Sequence, residues 1–145
     1  MPAFTRYRPG HTLVELVLVM AIMTLAALIG IRQVQMLLDR LATRDAVRDA
    51  SAVVSRARDE AIALHTRVSM RVDTIAGSLE LLSRDGRVAF APVASTHGVV
   101  LSTTRDSITF DIRGLGYGAA NLTLVARRGR AADTLVVSRL GRTRY

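Results

Sequence analysis

The chain has no cysteine. That excludes a disulfide framework and thiolate metal sites, and it leaves an exported destination open. Lysine is missing too. All 20 basic residues are arginine, against 12 carboxylates, for a formal net charge of +8. Aromatics are only 4% of the residues, so beyond Tyr117 and Tyr145 there is no platform on which single-stranded bases could stack. No proline falls between Pro9 and Pro92, so nothing in that stretch forces a helix to break. Catalytic groups are equally scarce. His65 sits at a helix-to-strand junction and His97 adjoins Gly98 in a loop, neither at metal-ligand spacing. Ser69, Ser83 and Ser138 lack an activating motif, and Asp73, Glu80 and Asp85 are scattered. The expectation is a protein that is not an enzyme, with no catalytic residue, no metal and no cofactor.

What the chain does have is concentrated apolar sequence. Of its 145 residues 50% are hydrophobic, and much of the excess lies in residues 13–31. Leu16 to Ile31 carries no charge, and extended back to Leu13 it nears the roughly 20 residues that cross a hydrocarbon core. Arg6 and Arg8 precede it. The positive-inside rule then puts the N-terminus in the cytoplasm and the remainder across the membrane. A secretory signal peptide has the same order of basic and apolar parts, and Ala26-Ala27 could mimic its cleavage site. Here, however, the apolar pattern runs on as helix instead of opening into a polar loop.

Pro9-Gly10 comes before the apolar run, so a cut after Gly10 would leave the whole segment on the mature chain. Glu15 would then stand four residues from a new amino terminus at His11. An isolated carboxylate in hydrocarbon costs roughly several kcal/mol unless protonated or paired. The terminal ammonium of a neighbouring subunit would pair it in an array of identical helices and set their axial register. The alternative is a glutamate at the interface that reaches back to the headgroups.

Residues 10–15 and the helix after them closely resemble the processing motif of type IV pilins and type II secretion pseudopilins. The resemblance implies that a prepilin peptidase cuts between Gly10 and His11 and methylates the new amine of His11. It also implies that Glu15, at the fifth mature position, serves assembly. The family usually begins its mature chain with phenylalanine, where this sequence has His11.

Beyond Ile31 the helical pattern continues. Val34, Leu37, Leu41, Val47, Ala50, Val54, Ala57, Ala61 and Leu64 recur at steps of mostly three or four, interrupted by Arg44. A helix from residue 12 to 64 would be roughly 80 Å long at 1.5 Å per residue. Small residues at Ala50, Ala57, Ala61 and Ala63 would let a sheet approach closely, and they make a poor coiled-coil seam. After His65 the period changes to two. Strands are expected in Arg67–Val72, Leu79–Leu81, Val88–Phe90, Val99–Leu101, Ser107–Ile112, Leu122–Val125 and Thr134–Ser138, with a tight turn at Asp85-Gly86.

The head adds a second resemblance. Ser107-Ile-Thr-Phe-Asp-Ile-Arg-Gly-Leu-Gly, then Thr134-Leu-Val-Val-Ser-Arg-Leu-Gly-Arg-Thr-Arg144, looks like the C-terminal signature of the GspH/FimT family of minor pseudopilins and minor pilins. Ala57-Arg-Asp-Glu-Ala-Ile62 resembles that family's helix-end motif. The implied fold is α+β and pilin-like: a long membrane-spanning N-terminal helix whose C-terminal half packs on a small antiparallel β domain. The expected boundaries are a leader at 1–10, an anchoring and assembly helix at 11–31, its amphipathic continuation at 32–65 and a β-rich head at 66–145. Implied partners are other major and minor pilins or pseudopilins, the prepilin peptidase and the inner-membrane assembly platform. The implied role is a tip subunit of a type II secretion pseudopilus.

Charge opens one further reading. Without Arg6 and Arg8 the chain still carries 18 arginines against 12 carboxylates. Arg127, Arg128 and Arg130 occupy an expected turn, and Arg139, Arg142 and Arg144 surround Gly141. In an extended segment Arg142 and Arg144 project to one side, and guanidinium groups grip phosphates bidentately. Gly141-Arg-Thr-Arg144 resembles the element carried by DNA-capturing minor pilins. That implies double-stranded DNA as a partner. The competing view is a closing strand whose arginines are solvated or touch neighbouring subunits.

Overall fold

The computed structural model describes residues 12–118 and 120–145. The expected cleavage pair, Gly10 and His11, lies outside the described residues. The chain divides into two compact units, Met1–Gln35 and Met36–Tyr145.

Helix α1 runs Leu13–Ala63. Its start has a local cause: the Glu15 amide donates to Thr12 Oγ1 at 3.3 Å and the Leu16 amide to the Thr12 carbonyl at 3.2 Å. Thr12-Leu-Val-Glu15 therefore has the spacing of a capping box, with an acidic side chain in the first turn where the helix dipole favours it. In the first unit every described residue is exposed, and an 18-residue window of α1 reaches a mean hydropathy of 2.5 with none of it buried. The one hydroxyl in this run, that of Thr24, donates to the Met20 carbonyl at 2.8 Å and so needs no water.

In the second unit α1 buries Thr43, Ala46, Val47, Ala50, Val54, Ala57 and Ala61. Four of these are alanines at helical spacing, so the helix backbone can sit close to the strands. The expected stripe holds from Val47 to Ala61. Leu37, Leu41, Ala63 and Leu64 are exposed instead. The helix stops at His65, whose φ of 48° is left-handed and cannot continue it.

Among the described residues nine strands and one short helix follow: β1 (Val68–Asp73), β2 (Ser78–Ser83), β3 (Gly86–Ala91), α2 (Val93–His97), β4 (Val100–Thr103), β5 (Ser107–Phe110), β6 (Gly116–Tyr117), β7 (Leu122–Arg128), β8 (Ala131–Val137) and β9 (Thr143–Arg144). They form two antiparallel sheets, ordered β3-β2-β1-β5-β6 and β4-β7-β8-β9. The seven expected strands are all present. Arg84 and Asp85 make the β2–β3 turn, with Gly86 opening β3 at a φ of 130°.

Inward positions of both sheets, Met70, Leu79, Leu81, Phe110, Leu122, Leu124 and Leu135 among them, join the alanine side of α1 in one cluster. Among the described residues no buried side-chain polar atom lacks a partner, as expected where each such orphan costs about 1–3 kcal/mol.

Candidate functional site

Three features of the chain bear on function: the start of α1, the arginines of the head, and two glycine loops that meet over Arg58. Glu15 is held in the first turn of α1 by the cap just described, so one part of its work is local. The residue three positions after a threonine was available in the sequence as a capping signal.

The six arginines singled out from the sequence do not gather into one patch. Arg127 and Arg128 close β7, so only Gly129 and Arg130 form the turn to β8. Arg127 pairs in register with Val100 and Ala132, and Arg144 with Val136. They lie at different ends of the four-stranded sheet. Arg128 is occupied. Its Nε lies 3.1 Å from Asp39 Oδ1, and a terminal nitrogen donates to the His97 carbonyl at 2.9 Å. The His97 ring in turn reaches Asp49 Oδ2 at 2.7 Å. These contacts strap the β7–β8 hairpin and α2 to α1. Gly129 belongs to the strap, since a Cβ there would strike the Asp39 carboxylate.

Arg130 lines a cleft of about 590 Å³ with Arg40, Arg44 and Tyr145. Arg139 is exposed while its carbonyl accepts from the Gly116 amide at 2.9 Å. Arg142 and Arg144 are both exposed, with half-buried Thr143 between them accepting a 3.1 Å hydrogen bond from Ser51 Oγ. The expected one-sided projection of Arg142 and Arg144 fits that alternation. Tyr117, a possible stacking ring, already carries Arg67 at 3.8 Å from its centroid.

The two glycine loops explain the C-terminal signature. In residues 111–116 the Asp111 carboxylate accepts from the amides of Arg113 and Leu115, each at 2.9 Å. Those hydrogen bonds, that from Leu115 above all, with help from the Arg113 charge, hold the Asp111 carboxyl below its ordinary range against the opposing effect of burial. Gly114 is left-handed, and a Cβ on it would meet Arg58 and Ile62. In residues 138–142 the Gly141 amide donates to the Ser138 carbonyl at 2.9 Å, and a Cβ on Gly141 would lie 3.2 Å from the Gly114 carbonyl. The aliphatic part of Arg58 fills the seat between the loops. Sequence reasoning did not single out Arg58 or Asp111 as functional, although both lie inside quoted motifs.

Among the described residues no three histidines or carboxylates converge on a metal-sized site. The arrangement is one of surfaces and a membrane-length rod, the class of pilin-like subunits. The family model described as type II transport protein GspH matches residues 46–141, which takes in α1 from Ala46 onward and the strands β1 to β8, and ends before Arg142 and β9. The chain belongs to that family. Its fold is similar to that of the type IV minor pilin FimU of Pseudomonas aeruginosa strain PAO1, at 16% identity, covering 72% of this chain and 88% of that one, with a TM-score of 0.61. It is also similar to that of the minor pseudopilin EpsH from the type 2 secretion system of Vibrio cholerae, at 14% identity, with 70% and 94% covered and a TM-score of 0.56. Identities this low speak for the fold alone. No curated protein sequence matches the chain.

Proposed function

We propose that this protein is a minor pseudopilin of the H type in a type II secretion system, a structural subunit near the pseudopilus tip and not an enzyme. The prepilin peptidase removes residues 1–10 and methylates His11. Residues 11–31 anchor the subunit in the inner membrane with the head periplasmic, residues 32–65 continue the helix, and residues 66–145 complete the head that meets neighbouring pilins. Glu15 sets register against the amine of an adjacent subunit, and the assembly platform draws the helix from the bilayer into the array.

The observation that carries this reading is the bare apolar surface of α1 ahead of the head. Fifteen or more large aliphatic side chains from Leu13 onward cover nothing in their own chain. Such a surface is stable only in lipid or against other helices. Membership of the GspH family supports a role as a pseudopilin or minor pilin. The test is intact-mass analysis of the membrane-extracted chain, co-expressed with the peptidase, and pseudopilus incorporation of Glu15→Ala. A leader still attached, or unchanged incorporation of the variant, would defeat the proposal.

A second reading draws on the two exposed arginines at the end of the head. A minor pilin for DNA uptake would use Arg142 and Arg144, with Arg127, Arg130 and Arg139 as more distant contacts. Full-length protein would then retard duplex DNA without sequence preference, and Arg142→Ala with Arg144→Ala would flatten the salt dependence by a slope of about 2. An unchanged slope would remove these residues from any DNA site.

A further inference from the structure

We propose that Arg40, Arg44 and Arg130 form a phosphate site that seats the head on anionic phospholipid headgroups. Arg40 and Arg44 are one helical turn apart on α1, where like charges repel. The strap between Arg128 and Asp39 brings the β7–β8 turn, and with it Arg130, to the same cleft. Three guanidinium groups thus line one opening. No ion pair among the described residues engages any of them, whereas Arg48, Arg56, Arg87, Arg113 and Arg128 each have a carboxylate partner.

The lining holds one acidic side chain, Asp133, whose Oδ1 accepts from the Thr134 amide at 2.8 Å, so the three arginines leave its side chains with an excess of positive charge. A positive cleft held together against its own repulsion is completed by an anion, and guanidinium forks match the geometry of phosphate oxygens.

What surrounds the cleft selects the source of that phosphate. Leu37 and Leu41, three residues before Arg40 and Arg44 on the flanking side of α1, are 56% and 48% exposed. Aliphatic side chains next to arginines suit the boundary between acyl chains and headgroups. Duplex DNA offers nothing apolar for those leucines to meet. A bilayer offers both halves at once. The site would hold the unassembled subunit's head against the membrane and release it on extraction. The inference rests on the membrane-anchored reading above.

The test places the full-length chain in nanodiscs of neutral phosphatidylcholine or of a mixture rich in anionic phosphatidylglycerol, and follows hydrogen exchange of the amides in residues 127–133. Anionic lipid should slow that exchange by roughly tenfold or more. Arg40→Gln, Arg44→Gln and Arg130→Gln together should abolish the slowing. The charge-matched set Arg71→Gln, Arg84→Gln and Arg105→Gln should retain it and reports on folding. Equal exchange in the two lipids, or loss of the effect in both variant sets, would overturn the headgroup site while leaving the anchor intact.

Failure to enter either disc would instead overturn the anchor, and this inference with it. Free inorganic phosphate or duplex DNA added to neutral discs should leave the exchange unchanged. Slowing by either to the level seen with anionic lipid would reassign the cleft and defeat the lipid assignment.

Discussion

One helix carries two kinds of apolar surface. Up to Gln35 its hydrophobic residues are mostly leucine, valine, isoleucine and methionine, all exposed. From Thr43 to Ala61 its buried positions are chiefly alanine. Large flexible side chains suit a fluid solvent or other helices, which adjust to them. Methyl groups suit a rigid neighbour that has to come close. Hydrophobicity alone does not announce burial in this molecule. Along α1 the buried side is instead marked by small residues at helical spacing.

The sharpest way to break that contrast is to delete bulk on each side of it. Phe110 is fully buried, so Phe110→Ala should cost the head about 3–5 kcal/mol in chemical denaturation of the detergent-solubilised chain. Leu18→Ala in the exposed stretch should shift the same transition by less than about 0.5 kcal/mol. Comparable losses would mean that the two surfaces are not different in kind. Adding bulk tests the alanine side. Ala50→Leu should destabilise the head by about 1–3 kcal/mol through overpacking, and Ala27→Leu should leave its melting unchanged.

Smaller effects refine the picture at the strap. Asp39 and Arg128 are partly exposed, so Asp39→Ala should cost only about 1 kcal/mol or less. Its clearer mark would be faster amide exchange in residues 127–133. The smallest effect is confined to acid. The folded state holds the Asp111 carboxyl below its ordinary value of 3.8. The ionised form therefore adds stability that is complete above that value and disappears as pH falls through the lowered folded one. Wild type should exceed Asp111→Asn in stability at neutral pH, with the gap closing below pH 3.8. A gap that persisted at the lowest pH would show that the carboxylate's charge is irrelevant to the loop.

Most of the fold was legible because its signals are local. The period of α1 and the alternation in each of the seven expected strands needed no knowledge of the partner strand. Their division into two sheets was not legible, since local alternation is the same whichever strand lies alongside. Helix α2 escaped because Val93–His97 is too short to display a helical period. β6 is two residues, paired only because Phe110 and Thr109 lie opposite Gly116 and Tyr117.

The candidate site was less legible than the fold. Arg127, Arg128 and Arg130 are neighbours in sequence, but the end of a strand sends successive side chains to opposite faces. Arg128 turned out to be a structural clamp on Asp39. Arg130 faces Arg40 and Arg44, which no local pattern connected with it. Arg142 and Arg144 are both exposed, on either side of half-buried Thr143.

The alanine side of α1 carries a mechanical consequence. A row of methyl groups has little relief, so it offers few knobs to stop the rod from sliding lengthwise past the strands. Within the head that duty falls on Val47 and Val54, on Ser51 tied to Thr143, on Asp49 held by His97, on Arg58 between the glycine loops, and on Asp39 gripped by Arg128. Any axial pull delivered along α1 reaches the strands through those few teeth, and Asp39, nearest the N-terminal side, is the first of them to bear the load.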